Sequence, residues 1–273
     1  MTDYTAKRDR WGRPLLIPPG GGERAAYMRA STLAKVLDDG STLARWQRAM
    51  TMLGLVKDES LYARVASLLS RDGESAYERN RVALREIAEQ AMSAMGGSKK
   101  ANKGTSVHEF TEVVDSGRWP EFVPAKLVHP LRAYRMVMGD LGVTVVDTEV
   151  FVAVDELKTA GSLDRLVEIN GRVHVADIKT GANEPNYPLG VTTQTAIYSR
   201  GKRYNLRTDE RSQLWPVGVD QERGVLIHLP LNPVEGEYRC DLYWLDLTRG
   251  WEAAQTALDV KEIRKMPKLE RIS

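Results

Sequence analysis

Cysteine is nearly absent from this chain of 273 residues, in which Cys240 is the only one. A single thiol excludes an internal disulfide framework and a metal centre held by four cysteines. A long apolar run is missing as well, so we expect no membrane-spanning helix. The polar, charged N-terminus lacks the pattern of a secretory signal peptide. These absences together predict a cytoplasmic protein.

A strong charge of one sign is also missing, since the formal net charge is +2 with 28% charged residues. Any surface that binds nucleic acid must therefore be a local patch. The hydrophobic content of 42% is enough for a core, in one large domain or in one domain with a helical extension.

A β-hairpin is predicted in the middle of the chain. Two apolar-rich runs, Ser162–Ile169 and Arg172–Ile178, are joined by Asn170-Gly171. Asn-Gly between alternating runs is the strongest short-range signal for a two-residue hairpin turn. That turn sets the register, with Ile169 facing Arg172 at the end of the hairpin.

The same register places Leu166 opposite Val175 and Asp164 opposite Asp177. Two opposed carboxylates repel each other, and a divalent cation between them removes the conflict. Carboxylates are natural ligands of a hard ion such as Mg²⁺. Lys179 follows Asp177 by two residues and shares its strand face. Two acids and a lysine on one face suit metal-assisted attack of water on a phosphodiester.

Four motifs around this hairpin resemble those of the PD-(D/E)XK nuclease superfamily, in its RecB-like branch. That branch shows a histidine in a G-x-x-x-H context, then G-x-x-D, then D-x-K followed by T and G, then Q-x-x-x-Y. The chain matches them in this order at residues 104–108 (GTSVH), 161–164 (GSLD), 177–181 (DIKTG) and 194–198 (QTAIY). D-x-K alone is a weak signal because short motifs recur by chance, whereas the ordered set is much more specific.

The resemblance implies an α/β (α+β) fold of the restriction-endonuclease type, with a central mixed β-sheet flanked by helices and a helical N-terminal region. It implies a deoxyribonuclease that depends on Mg²⁺ or Mn²⁺, an exonuclease rather than an endonuclease. Relatives of this size include phage and CRISPR-associated exonucleases, so we expect a role in phage or bacterial DNA recombination and repair, in the host cytoplasm if phage-encoded. DNA is the expected partner and a single-strand annealing recombinase a candidate one, with the oligomeric state open. Some relatives hold an iron–sulfur cluster with four cysteines, which this chain cannot supply.

The resemblance also assigns site residues. The implied metal ligands are His108, Asp164, Asp177 and the backbone carbonyl of Ile178. Lys179 would orient or deprotonate the attacking water and offset the charge that develops on the phosphate. Gln194 and Tyr198, one turn apart on a helix, would position the water or the DNA strand.

Several assignments keep alternatives. Glu149 lies among apolar residues of a predicted strand and is either a site carboxylate or an ordinary strand-face residue. Glu112 shares a helix face with His108 and either supports the site or lies at the surface. A lone helical histidine is structural in most proteins, and the G-x-x-x-H context is what favours a ligand. A basic Gly-rich loop supplies candidate DNA contacts, at Lys99, Lys100 and Lys103, although it lacks the P-loop pattern.

Three segments are expected along the chain. Residues 1–26 are predicted to be a flexible arm, 27–103 a helical region packed on the core, and 104–273 the nuclease core. The predicted helices cover 31–37, 41–52, 61–70, 76–95, 105–116, 130–142, 191–204 and 247–265. The further predicted strands cover 143–154, 214–219, 224–229 and 238–245. Trp46 is expected to be a core residue.

Two other hypotheses remain open. The fold could serve as a catalytically inactive DNA-binding or structural subunit. Alternatively, the motif matches are accidental and the hairpin acids face solvent, where exposed pairs are tolerated at modest cost. Metal binding separates the nuclease hypothesis from the accidental one, and DNA cleavage separates it from the inactive subunit.

Overall fold

The computed structural model describes residues 5–96, 107–181, 188–267 and 269–272. The chain forms two compact units, one made of Met1–Asp38 with His108–Ser273 and the other of Asp39–Val107. The first unit is therefore interrupted along the sequence by the second, between Asp38 and His108. No helix in the described ranges has the length and apolar character needed to cross a membrane.

Helices and strands alternate irregularly along the chain. The helices are α1 (Ala30–Ala34), α2 (Ser41–Lys57), α3 (Glu59–Asp72), α4 (Ala76–Arg79), α5 (Arg81–Ala94), α6 (107–115), α7 (Ala125–Asp140), α8 (Leu189–Ser199) and α9 (Leu247–Ile263). The strands are β1 (Leu15–Leu16), β2 (Ala25–Ala26), β3 (Met28–Arg29), β4 (Thr144–Val154), β5 (Thr159–Ile169), β6 (Arg172–Lys179), β7 (Lys202–Tyr204), β8 (Arg211–Ser212), β9 (Arg223–His228) and β10 (Asp241–Asp246).

A mixed sheet forms the centre of the first unit, and its described part has eight strands. The order is β10-β9-β6-β5-β4-β7-β8, and β3 pairs with β5 outside this path. The pairs β6–β9 and β3–β5 are parallel, while the other pairs in this sheet are antiparallel. Parallel neighbours require a crossover connection, and α8 lies in the one between β6 and β9.

Helices cover both faces of this sheet. Leu166 of β5 packs in a buried cluster with Ile197 of α8 and Ala254 of α9. Its neighbour Arg165 instead binds side chains of α6. Because successive strand residues point to opposite faces, α8 and α9 lie on one face and α6 on the other. The predicted class, a central mixed sheet flanked by helices with a helical N-terminal region, is confirmed.

The hairpin of β5 and β6 has the predicted turn and register. Asn170 and Gly171 both have positive φ, of 51° and 75°, as a type I′ turn requires. Leu166 pairs with Val175, and Ile169 with Arg172, as predicted.

One predicted pair of this hairpin does not form. The paired ladder ends at Arg165–Ala176, one step before Asp164 and Asp177. Asp164 instead accepts a hydrogen bond of 3.0 Å through Oδ2 from the backbone N–H of Ile178. The expectation of a direct Asp164–Asp177 pair is wrong, because the side chain of Asp164 takes the place of a strand-to-strand hydrogen bond.

The N-terminal segment is not an irregular arm. β1 pairs with β2, and Leu16 is fully buried beside Tyr27 and Ala160. The backbone N–H of Ile17 donates a 3.1 Å hydrogen bond to Tyr204 Oη. Glycines and prolines in this segment predicted disorder, whereas its few apolar side chains are enough to attach it to the sheet.

Two further predictions fail for tertiary reasons. The helix predicted over 191–204 ends at Ser199, because Gly201 lies so close to β4 that a Cβ there would be 2.2 Å from Val152 Cγ1. The strand predicted over 214–219 is a turn, in which Leu214 is buried and Val217 is 85% exposed.

The helix predicted to begin at Pro130 begins earlier, at Ala125. Proline is most common in the first turn of a helix. Here it lies inside the helix and is buried with Leu127 and Leu131.

The second unit contains α2 to α5 and has a small core of its own. Leu61, Ile87 and Ala91 are buried in it. Gly54 lets α2 and α5 approach closely, since a Cβ at this position would lie 2.1 Å from the Ala91 carbonyl oxygen. Trp46 is 37% exposed and does not belong to this core, contrary to prediction.

Candidate metal centre

Three acidic residues lie at one level of the sheet, on three adjacent strands. Glu149 is on β4, Asp164 on β5 and Asp177 on β6. The pairs that flank this level are Thr148–Arg165, Val150–Leu163 and Arg165–Ala176. In the described strands the three acids are not paired with one another, although Asp177 pairs with Leu226 of β9, so the sheet is interrupted between β4, β5 and β6 where the acids lie.

The backbone of Glu149 contributes to this interruption. Its φ is +51°, in the left-handed region that a glutamate in a strand seldom adopts. Such a conformation costs about 1–3 kcal/mol and persists only where the surrounding structure imposes it.

His108 on α6 completes a group of potential ligands. Its Nδ1 lies 3.7 Å from Asp164 Oδ2, and both side chains are partly buried. Ligand atoms of His108, Glu149 and Asp164 all lie within 4.8 Å of one another. Mg²⁺ binds oxygen ligands at about 2.1 Å, so two opposite ligands stand about 4.2 Å apart. Small side-chain adjustments would therefore bring all three onto one cation.

Ile178 lies between the predicted ligands. Its backbone N–H binds Asp164, as described above. Burial holds the pKa of His108 below its usual value, although the charge of Asp164 and a hydrogen bond to the Ile178 backbone raise it. The neutral imidazole that results is the form that binds metals.

Asp177 and Lys179 form a close ion pair at the same level. Lys179 Nζ lies 2.5 Å from Asp177 Oδ2, with the carboxylate buried and the ammonium half exposed. Burial raises the pKa of Asp177 to about 6, although the charge of Lys179 lowers it, and the nearby charge of Asp164 raises it further. The lysine thus compensates only part of the cost of burying this acid.

The pKa values of Glu149 and Glu112 are also raised, so that their ionised forms are disfavoured. Glu149 is solvent-exposed as a residue, yet protein atoms around its carboxyl, with the charges of Asp164 and Glu112, raise its pKa to about 7. Burial likewise raises the pKa of Glu112, which is half-buried on α6. In both cases the buried Arg165 guanidinium opposes the increase. A cation among these carboxylates would relieve their repulsion.

Tyr198 connects two of the sequence motifs in space. It is buried on α8, and a Cβ at Gly161 would lie 2.6 Å from its hydroxyl oxygen. Burial raises the pKa of Tyr198, and the charges of Asp164 and Asp177 raise it further. The glycine of the G-x-x-D motif thus makes room for the tyrosine of the Q-x-x-x-Y motif. Gln194 lies one turn earlier on α8 and is partly buried.

The structure brings most of the predicted site residues to this level of the sheet: His108, Glu149, Asp164, Asp177, Ile178, Lys179 and Tyr198. The predicted DNA contacts Lys99, Lys100 and Lys103 lie outside the described residues. The sequence did not lead us to predict a role for Arg165, which is buried beside the site. The available signal was a charged residue within a predicted strand, between Asp164 and Leu166.

Comparison with known proteins adds little to this picture. No protein-family model matches the chain, and no curated protein matches it. Thirteen chains in solved structures match. One of them is titled "Crystal structure of SSO0001" and is 14% identical, covering 63% of this chain and 73% of its own, with a TM-score of 0.25. A likeness at this level carries no argument, and the site rests on the chain's own residues.

Proposed function

We propose that this protein is a deoxyribonuclease dependent on Mg²⁺ or Mn²⁺, of the exonuclease type, that hydrolyses phosphodiester bonds. The observation that supports this most is the grouping of the Asp177–Lys179 ion pair with His108, Glu149 and Asp164 at one interrupted level of the sheet. Metal-assisted phosphodiester hydrolysis uses carboxylates, an imidazole and a lysine, and here the carboxylates and the lysine lie on the sheet and the imidazole on α6.

The donor set fits a divalent cation. His108, Asp164, Asp177 and the Ile178 carbonyl would hold it, with Glu149 as a further carboxylate. The imidazole shifts the preference toward Mn²⁺, because nitrogen ligands favour transition metals over Mg²⁺. When bound, such an ion supplies Lewis acidity, neutralises phosphate charge and lowers the pKa of water.

The chain's own residues then position and balance the reactants. Lys179 is held by Asp177, and its half-exposed ammonium is accessible to a phosphate bound at the site. There it orients or deprotonates the attacking water and offsets the charge of the pentavalent anion. Tyr198 is buried, so its role is to fix the strand that bears Asp164 rather than to contact DNA directly.

The biological setting follows from the motif resemblance. Cleavage from DNA ends, a role in phage or bacterial recombination and repair, and a single-strand annealing recombinase as partner are parts of the same proposal. They depend on the four motifs at residues 104–198.

Digestion of linear and circular DNA tests the proposal. Wild-type protein is incubated with each substrate in Mn²⁺, in Mg²⁺ or in EDTA, beside Asp177→Ala and Lys179→Ala. Glu168→Gln is the matched control, because Glu168 is an exposed acid on β5. We expect metal-dependent loss of linear DNA only, abolished in both site variants and retained in the control.

Each other result has a defined meaning. Cleavage of circular DNA as well would indicate an endonuclease rather than an exonuclease. A wild-type protein that binds Mn²⁺ in calorimetry and cuts neither substrate would favour the inactive DNA-binding subunit. A protein that neither cuts nor binds metal would refute the metal centre.

A further inference from the structure

A fully buried arginine lies directly beside the candidate ligands. Arg165 follows Asp164 on β5 and has no exposed surface. Its Nε donates a 2.7 Å hydrogen bond to Asp115 Oδ2, and its Nη2 donates one of 2.7 Å to Thr111 Oγ1. Both partners lie on α6, the helix that carries His108. The guanidinium therefore joins the strand of one ligand to the helix of another.

The connection continues to the histidine itself. Thr111 Oγ1 donates a 2.9 Å hydrogen bond to the backbone carbonyl of His108. The hydroxyl thus accepts from Arg165 and donates to His108, which links the two residues through one atom. Tyr134 of α7 donates a 2.6 Å hydrogen bond to the other oxygen of Asp115 and fixes that carboxylate.

We propose that Arg165 is a positioning residue of the metal centre, which holds α6 on β5 so that His108 and Asp164 meet. This inference rests on the proposed function, since it concerns how that site is assembled. Groups behind metal ligands orient them, and their loss typically weakens metal affinity 10- to 100-fold.

Stability alone gives a weaker account of this network. Replacing a buried ion pair by apolar residues of similar size is often neutral or stabilising, because desolvation of the charges offsets their attraction. The bond from Thr111 to the His108 carbonyl is one that helical threonines commonly make, so by itself it does not separate the two accounts. The two accounts predict different outcomes when the network is made apolar.

The test uses the variant Arg165→Met/Asp115→Leu/Tyr134→Phe, which removes the charges and leaves no unpaired partner among them. A matched control is Arg211→Met/Asp155→Leu/Tyr27→Phe. It removes the same chemistry elsewhere in this unit, where Arg211 Nε binds Asp155 at 2.7 Å and Tyr27 Oη binds it at 2.6 Å. Thr111→Val, which cuts only the hydroxyl link, is the second test variant.

The readouts are Mn²⁺ affinity by calorimetry, the hyperfine coupling of a histidine nitrogen to Mn²⁺ by electron paramagnetic resonance, and the urea midpoint. We expect the apolar variant to bind Mn²⁺ 10- to 100-fold more weakly and to lose the nitrogen coupling, with a urea midpoint no lower than wild type. Thr111→Val should show the same losses to a smaller degree, and the control should bind as wild type does.

Wild-type affinity and coupling in Thr111→Val would overturn the proposal, even if the apolar variant failed to fold. Equal weakening in the matched control would also overturn it, because any lost ion pair would then have the same effect. If the wild-type protein binds no Mn²⁺, both the metal centre and this inference are overturned. If the wild type binds Mn²⁺ and the variants bind it with the same affinity, only this inference is overturned.

Discussion

Adding one methyl group at Gly161 should destabilise the first unit through Tyr198. A Cβ there lies 2.6 Å from Tyr198 Oη, too close for non-bonded atoms, but 3.5 Å from Cζ, an ordinary contact. The hydroxyl oxygen alone therefore causes the clash. We expect Gly161→Ala to cost about 1–3 kcal/mol, as other overpacked sites do.

Removing the hydroxyl should remove this cost. In Gly161→Ala/Tyr198→Phe the closest ring atom is at contact distance, and Gly→Ala lowers the entropy of the unfolded chain. The double variant should recover most of the loss, which gives a coupling of about 1–2 kcal/mol between two residues 37 positions apart.

The measurement is urea unfolding of wild type, both single variants and the double variant in EDTA, followed by tryptophan fluorescence. Every tryptophan except Trp46 lies in the first unit, so the signal reports mainly on that unit. Additive effects, with the double variant as unstable as Gly161→Ala, would refute the predicted contact between the two motifs.

Three more predictions concern the acids and the second unit. Burial raises the folded-state pKa of Asp177 from 3.8 to about 6, so its ionised form destabilises the metal-free fold as pH rises through this window. Asp177→Asn should therefore be about 1–3 kcal/mol more stable than wild type at pH 8 in EDTA, and no more stable than wild type below pH 4. Urea titrations of both proteins at the two pH values measure this difference. An equal difference in stability at both pH values would contradict the prediction. Saturating Mn²⁺ should raise the Tm of wild type, and Glu149→Gln should reduce that increase in a thermal shift assay, whereas an equal increase would exclude Glu149 as a ligand. Gly54→Ala should destabilise the second unit by about 3 kcal/mol, because the new Cβ would overlap the Ala91 carbonyl. Amide hydrogen exchange should then show reduced protection in α2 and α5. Unchanged protection would contradict the prediction.

The hairpin was predictable because local chemistry determines it. Asn170-Gly171 selects the turn, and the turn fixes which residues face each other as far as Arg165. At the next residue pair the turn no longer determines the register, because Asp164 accepts a hydrogen bond from the Ile178 backbone instead of facing Asp177. Local pattern thus identified the acids of the site but not their pairing.

The positions of His108 and Glu149 relative to Asp164 depend on long-range packing. The motif resemblance predicted that His108 and Asp164 act together and left Glu149 open, and the approach of His108 to Asp164 depends on how α6 lies on β5. The same limit explains the helix that stops before Gly201, where close contact with β4 overrides a helical pattern. It also explains why Arg165 was missed, because its partners on α6 are about 50 residues away in sequence.

The order of the two units along the chain has a consequence for synthesis. The first unit is interrupted after Asp38 and resumes at His108, so the second unit is an insertion within it. β3, at Met28–Arg29, pairs with Thr159–Ala160 of β5. At a translation rate of about 5–20 residues per second, about 7 to 26 seconds separate the emergence of these two partners from the ribosome. The helices of the insertion, whose contacts are local, can form in that interval, before the segment that carries Asp164 and Asp177 has been synthesised.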